Sequence, residues 1–494
     1  MSRRRRPRPA RPLRKGWFRE VRRLGRRLFW DVLRSYVRRP SRSGERVASD
    51  ADERRARLAR MGTKVATGMT GARLRTVGRS AERKREVLGK AVMRSTAEVL
   101  DTLGDMKGAV MKIAQMASFA FDGLPEPVQR QLATLQTAAP PMAYELVEQV
   151  VEAELGGPPG AVFATFEHAP MAAASIGQVH KARTRDGREV AVKVQYPGVD
   201  EAILADLRNA DMIFSTVAAM FGGFDARALL EEVVARMSDE FDYRREAANQ
   251  QWFADRYRGH PYVKIPEVVP ELSSERVLTS EFVAGRGFYD VLDESQDVRD
   301  RYGEIIYRFA NTSIYVDGIF SGDPHPGNYI FCPDGRICFL DFGLVKRLEP
   351  DELEVLRAPG RALMDRDPDA LLRTTRGLGV IGPDVEVDAD ELFAFYDAIA
   401  FATARDEVFR FTRRKVGEML ERMMAPDSAM GKLQQQLELP PMLAIFNRYN
   451  LGTYAVLGHL EAEANWHRIS REGIYDEPPS TEIGRRWGTA VDAS

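Results

Sequence analysis

The chain has 494 residues, 44% of them apolar, and 72 basic residues matched by 72 acidic ones, which is enough length for two or three packed units with a sizeable core. Its only two cysteines, Cys332 and Cys338, are spaced as neither a zinc knuckle nor a redox Cys-x-x-Cys and point to reduced thiols in a cytosol-like compartment. The zero net charge is unevenly distributed, because residues 1–46 carry eighteen basic against three acidic residues, a net of +15, and leave −15 for the rest, so a basic arm precedes an acidic body.

The opening "RRRRPRPARP" cannot bury apolar area and is expected to be disordered. After it Trp17, Val21, Leu24, Leu28, Val32 and Tyr36 recur every three or four residues among arginines, the pattern of a basic amphipathic helix. Three roles fit such a helix: lying in an anionic membrane interface, docking on the acidic body, or binding nucleic acid, the last being the least favoured. The arm has no secretory apolar core; it shares the Arg-rich character of a mitochondrial transit peptide but is poor in Ser, so targeting stays open. No run of about eighteen uncharged apolar residues is present, and "MIFSTVAAMFGGF" from Met212 is too short to cross a bilayer.

From about residue 80 to 155 the pattern is helical, broken by "DGLPEP" and "AAPPM". Residues 160–195 read as strands with "RDGRE" as a tight turn. In "MAAASIGQVHKA", the small residues Ala172, Ala173, Ala174 and Ser175, followed by Gly177, would let backbone N–H groups approach an anion, though a tightly packed turn fits as well. The strand "EVAVKVQYP" places Val190, Val192 and Val194 on one face and Ala191 and Lys193 on the other. A Lys inside an apolar strand calls for a phosphate or carboxylate partner unless the strand is an exposed edge. A helical stretch, 200–258, follows, and then two strands, "YVKIPEVVPE" and "ERVLTSEFVAG".

The segment "DPHPGNYIFCPDGRICFLDFG", residues 323–343, reads as a β-hairpin turning at Pro333-Asp334-Gly335. Its ends carry Asp323, then Asn328 five positions later, and Asp341 in Asp-Phe-Gly. This is the spacing by which a kinase catalytic loop supplies a base (Asp323) and two magnesium ligands (Asn328 and Asp341). Downstream, "GLGVIG" at residues 377–382 formally matches a dinucleotide fingerprint. It follows a helical pattern instead of a strand, and is read as a helix end and turn.

In this order, these motifs resemble the UbiB/AarF/ADCK family of atypical kinases, within the protein-kinase-like superfamily. "AAASIGQVHKA" is similar to that family's Ala-rich loop. "MKIAQM" is similar to its Lys-x-Gly-Gln motif, with Lys112 and Gln115 in place and Ala114 in the position of the glycine. "DEFDYRREAANQ" is similar to its Glu-x-Asp segment, with Glu240 and Asp242, and the resemblance makes Glu246 the ion-pair partner of Lys193. "LTSEFVAG" is similar to the hinge, where backbone near Glu281 and Val283 would contact adenine.

The resemblance implies an α+β, bilobal protein-kinase-like fold with an N-terminal helical extension. The expected organisation is a basic arm over 1–50, the helical extension over 51–155, a kinase-like small lobe over 156–285, a helical large lobe over 286–470 and a polar tail over 471–494. It also implies ATP and magnesium as cofactors, and a kinase or ATPase activity supporting isoprenoid-quinone biosynthesis or lipid homeostasis at a membrane surface. Partners would then be an isoprenoid lipid or quinone precursor and an anionic membrane, with a cytoplasmic, peripheral location. Lys112 and Gln115 would lie over the nucleotide cleft. With that cover, and without an Ala-Pro-Glu segment after Asp341, no protein substrate is expected. Two other readings stay open, a soluble small-molecule phosphotransferase and an ATP-gated lipid-binding scaffold with little turnover.

The arm generates a test. Binding to anionic liposomes should add about 1 kcal/mol per basic residue near the surface, weaken with salt, and disappear when residues 1–40 are deleted; co-sedimentation of the two forms at low and high salt measures it.

Overall fold

The computed structural model describes residues 142–174, 176–197, 242–321, 324–382, 385–424, 433, 436–437 and 441–491. The expectations for the arm, for the extension up to residue 141 and for the apolar run from Met212 lie outside the described residues, as do Lys112, Gln115, Ser175, Glu240 and Asp323.

The small lobe is an antiparallel sheet in the order β1 (Thr165–Phe166), β3 (Gly177–Arg183), β4 (Glu189–Gln195), β6 (Val277–Glu281), with β2 (Ala172–Ala173) also paired to β3. In β4 the alternation expected from sequence holds: Val190, Val192 and Val194 are buried, while Ala191 and Lys193 are half-buried on the opposite face. The valine face packs on helix α1 (Tyr144–Leu155), whose Val147, Val150 and Val151 recur at helical spacing and share its core. Gly156 ends that helix in a left-handed conformation, φ 79°, and donates its N–H to Glu152 O. Helix α2 (Tyr243–Arg256) begins at Asp242, whose side chain accepts from the Arg244 N–H.

The larger lobe is built around α3 (Gln296–Tyr315), which buries Tyr302, Ile305, Ile306, Phe309 and Ile314. Beside it lies a four-stranded sheet in the order β5 (Val263–Lys264), β10 (Ile337–Phe339), β9 (Tyr329–Phe331), β7 (Arg286–Gly287). β9 and β10 form the expected hairpin: Gly335, at φ 83°, donates to Cys332 O. A second pair joins β8 (Ile319–Ser321) to β11 (Val345–Arg347). The helices α4 (Pro350–Met364), α5 (Pro368–Gly377), α6 (Ala389–Ile399), α7 (Arg413–Met424), α8 (Pro441–Leu460), α9 (Trp466–Ile474) and α10 (Glu482–Val491) complete it. The first glycine of "GLGVIG" is the last residue of α5 and Gly379 follows at φ 71°, so this motif is a helix end.

Two expectations need correction. "YVKIPEVVPE" forms only the two-residue β5 and one bridge, Val268 to Ser280, because Pro266 and Pro270 cannot donate to a ladder. Residues 471–494 are more than a polar tail. They include all of α10, whose Trp487 is buried against His260 and Tyr262, and Glu472 on α9, which with Glu304 holds the buried Arg308 of α3.

His260 is a titratable group buried in that packing. Its Nδ1 accepts from the N–H groups of Tyr262 and Val263, and its ring meets the Trp487 ring at 4.4 Å. Burial, and secondarily the Arg256 charge, lower its pKa from 6.5 to about 4. The folded state therefore binds this proton more weakly than the unfolded chain does. The His260 contribution is complete above pH 6.5 and is lost as pH falls toward 4, a total of about 3 kcal/mol. His260→Asn, which retains an acceptor without titrating, should flatten the fall in melting temperature between these pH values relative to the parent.

Candidate nucleotide and metal site

Lys193 stands in the middle of β4, paired across the ladder with Val179 and Leu278. Its Nζ lies 2.8 Å from each carboxylate oxygen of Glu246, in the first turn of α2. Both side chains are largely withdrawn from solvent, at 18% and 7% exposure. Burial disfavours the ammonium, but Glu246, then Tyr243 and Asp341, outweigh it and raise the Lys193 pKa. The lysine is thus held charged next to two carboxylates.

Asp341 occupies the left-handed region at φ 65°, a conformation uncommon for any residue but glycine. Four contacts hold the segment around it. Ser321 Oγ donates to Asp341 O at 3.1 Å, and the Gly343 N–H donates to Asp341 Oδ1 at 3.1 Å. Asn249 Nδ2, one turn beyond Glu246 on α2, donates to Phe342 O at 3.1 Å, and the buried Phe342 ring packs on Phe253 of α2 at 4.8 Å. At the next residue, a Cβ on Gly343 would come into ordinary contact with Asp341 Oδ1 at 3.4 Å and Glu246 Oε2 at 3.5 Å, so Gly343 lies between the two carboxylates.

The hairpin brings Asn328 to the same place. Register pairs Phe339 with Tyr329, so the following Leu340 N–H reaches Asn328 O at 2.9 Å, directly before Asp341. Asn328 closes a short 3-10 turn, Pro326–Asn328, which is capped by His325: its Nδ1 accepts from the Gly327 N–H and its carbonyl accepts from the Asn328 N–H. The oxygen donors of Asp341 and Asn328 suit a hard divalent cation. The bare Gly343 between the Asp341 and Glu246 carboxylates leaves room there that a side chain would fill. The residues present therefore fit magnesium.

The Ala-rich segment forms a hairpin with β3, where Ala172 faces Val179, Ala173 faces Gln178, and Ala174 N–H donates to Gly177 O. Gly177 is glycine for a reason internal to the sheet, since a Cβ there would come within 2.2 Å of Val194 O. Behind the hairpin, Gln178 Oε1 accepts from the Met142 N–H while Gln178 Nε2 donates to His180, which donates from Nδ1 to Glu167 O. Glu281 ends β6 with its carboxylate on Lys264 at 2.5 Å, and Phe282 N–H makes the last bond, to Glu189 O, before the chain leaves the sheet at Val283. Residue types alone did not mark Ser321, Asn249 or His325. Asn249 carried a usable signal, three positions after Glu246 on one helix face.

A family model described as "ABC1 atypical kinase-like domain" matches residues 134–375. The chain is 33% identical over 322 residues to Activity of BC1 Complex Kinase 8, a chloroplastic protein of Arabidopsis thaliana, an overlap of 63% of this chain and 42% of the relative. It is 32% identical over 282 residues to the mitochondrial atypical kinase COQ8B of Rattus norvegicus, covering 57% and 53% respectively. The chain thus spans about half the length of these curated relatives. Among solved structures, that of Rv3197 with erythromycin from Mycobacterium tuberculosis superposes with a TM-score of 0.58 at 33% identity, covering 80% of this chain and all of that one. With the lysine, glutamate and Asp-Phe-Gly segment assembled on a kinase-like mixed helix and sheet framework, the chain belongs to the ABC1 atypical kinases of the UbiB family.

Proposed function

We propose that this chain binds magnesium ATP between its two lobes and either hydrolyses it or passes its terminal phosphate to a small acceptor. The observation that carries this reading is the buried Lys193–Glu246 pair beside the strained Asp341. Lys193 would hold the α- and β-phosphates, with Glu246 fixing its direction. The Ala172–Ala174 hairpin, with Ser175 and Gly177, would cover the phosphates, and backbone near Glu281 and Val283 would take the base. Asp341 and Asn328 would hold magnesium, which when bound neutralises developing phosphate charge. Asp323, from its position in sequence, would receive the acceptor's proton.

Protein substrates are not favoured, because β11 and α4 follow Asp-Phe-Gly directly, with α4 starting at Pro350, and leave no long segment to present a peptide. Lys112 and Gln115 would restrain the chemistry from the extension. A role in isoprenoid-quinone or lipid metabolism at a membrane surface is supported by the mitochondrial COQ8B relative, by the relatives named for activity of the BC1 complex, and by the basic arm. Among the described residues no helix is long and apolar enough to cross a membrane; attachment through the arm is supported by its basic amphipathic pattern. Quinone and lipid profiling of a strain lacking the protein tests that part.

Asp341→Asn should remove most of the thermal stabilisation by magnesium ATP, an effect of about 2.7 kcal/mol in the parent at a hundredfold excess over the dissociation constant. Equal stabilisation of variant and parent in a melting assay would overturn the metal assignment.

A further inference from the structure

We propose that Gly452, in the middle of α8, is a positioning residue for the 324–328 loop that carries Asn328. This deepens the reading above and rests on it. Gly452 lies well beyond the residues matched by the family model, which end at 375. A Cβ at this position would stand 2.6 Å from Pro324 Cγ, 3.2 Å from Pro324 O and 3.5 Å from Pro324 Cδ. Carbon atoms pack favourably at about 3.5–4.0 Å, so the loop and the helix touch backbone to ring with no space between.

The contact explains a residue that is otherwise unfavourable. Glycine in a helix interior costs about 1 kcal/mol relative to alanine, and α8 runs for 20 residues around it. Tyr449 and Thr453, an i,i+4 pair on either side of Gly452 in sequence, line a small cavity with Ser321, Pro324, Asn328 and Phe342. α8 is therefore the floor under both halves of the site: the 324–328 loop rests on Gly452, and the cavity behind it is shared by Asn328 and the Asp-Phe-Gly phenylalanine. Because the Pro324 ring is closed onto its own backbone, displacing Cγ displaces the backbone that leads to Asn328.

The chain contains its own control. In α7 a Cβ on Gly417 would meet nothing within 4 Å, so Gly417→Ala gains helix propensity without a contact. The experiment compares the full chain with Gly452→Ala, Gly417→Ala and Gly452→Ala/Pro324→Ala. It reads kcat and KM for magnesium ATP turnover, and hydrogen exchange at the Gly327 and Asn328 amides, both bonded within the loop to His325.

Gly452→Ala should lower kcat about tenfold or more with KM changed by less than about threefold, and should speed exchange at the two amides. Gly417→Ala should leave all three readouts unchanged. Removing the Pro324 ring should recover part of the kcat and the protection, or restore folding if Gly452→Ala alone does not fold. A folded Gly452→Ala with parental kcat and exchange overturns the proposal, as does a defect that Pro324→Ala does not relieve. A parent without any turnover overturns the phosphate reading and this role with it, whereas an active parent beside an equally active Gly452→Ala overturns only the role of Gly452.

Discussion

The Lys193–Glu246 ion pair is the constraint on which the rest of the site depends. Two charges taken out of water at a cost of several kcal/mol each are tolerable only together, so β4 and α2 are tied at a separation set by a 2.8 Å contact. Removing either partner would strand the other, a loss of about 3–5 kcal/mol in comparable buried pairs. Fixing α2 in this way also fixes what α2 carries. Asn249 grips the Phe342 carbonyl and Phe253 supports the Phe342 ring, so the backbone that aims Asp341 is referenced to the same helix that neutralises Lys193.

Much of this was legible in the sequence because it follows from short-range rules. The alternation in "EVAVKVQ" put Lys193 opposite the valines, and the turn at Pro333-Asp334-Gly335 brought Asn328 and Asp341 to one end of a hairpin. Glu246 was different. Nothing in a charged helix marks one glutamate among its neighbours, and only the need of a buried lysine for a carboxylate, together with the family resemblance, singled it out. The contacts that were missed join residues far apart in the chain: Ser321 to Asp341 and Gly452 to Pro324.

The terminal segment shows why composition misleads. Residues 471–494 hold many charges and few apolar groups, which suggested a solvated tail. Helical spacing places Ile483 and Trp487 on one side, and that narrow stripe is enough to dock α10 on the core. Several of the charges serve the same docking, since Glu472 and Thr481 hold Arg308 from the far end of the chain. A polar residue with a buried partner reads in composition as a solvated one.

The hairpin that joins Asn328 to Asp341 also contains both cysteines, each free and buried. Burial pushes both thiols up from their ordinary pKa, Cys338 well up. Neither carries appreciable thiolate at neutral pH, and thiolate is the form that reacts with electrophiles. The folded chain is in this respect already a reporter scaffold: a cysteine introduced on an exposed surface would take a maleimide dye or spin label ahead of the native pair, so distances between the lobes can be followed without first removing Cys332 or Cys338 from the strands that set the site.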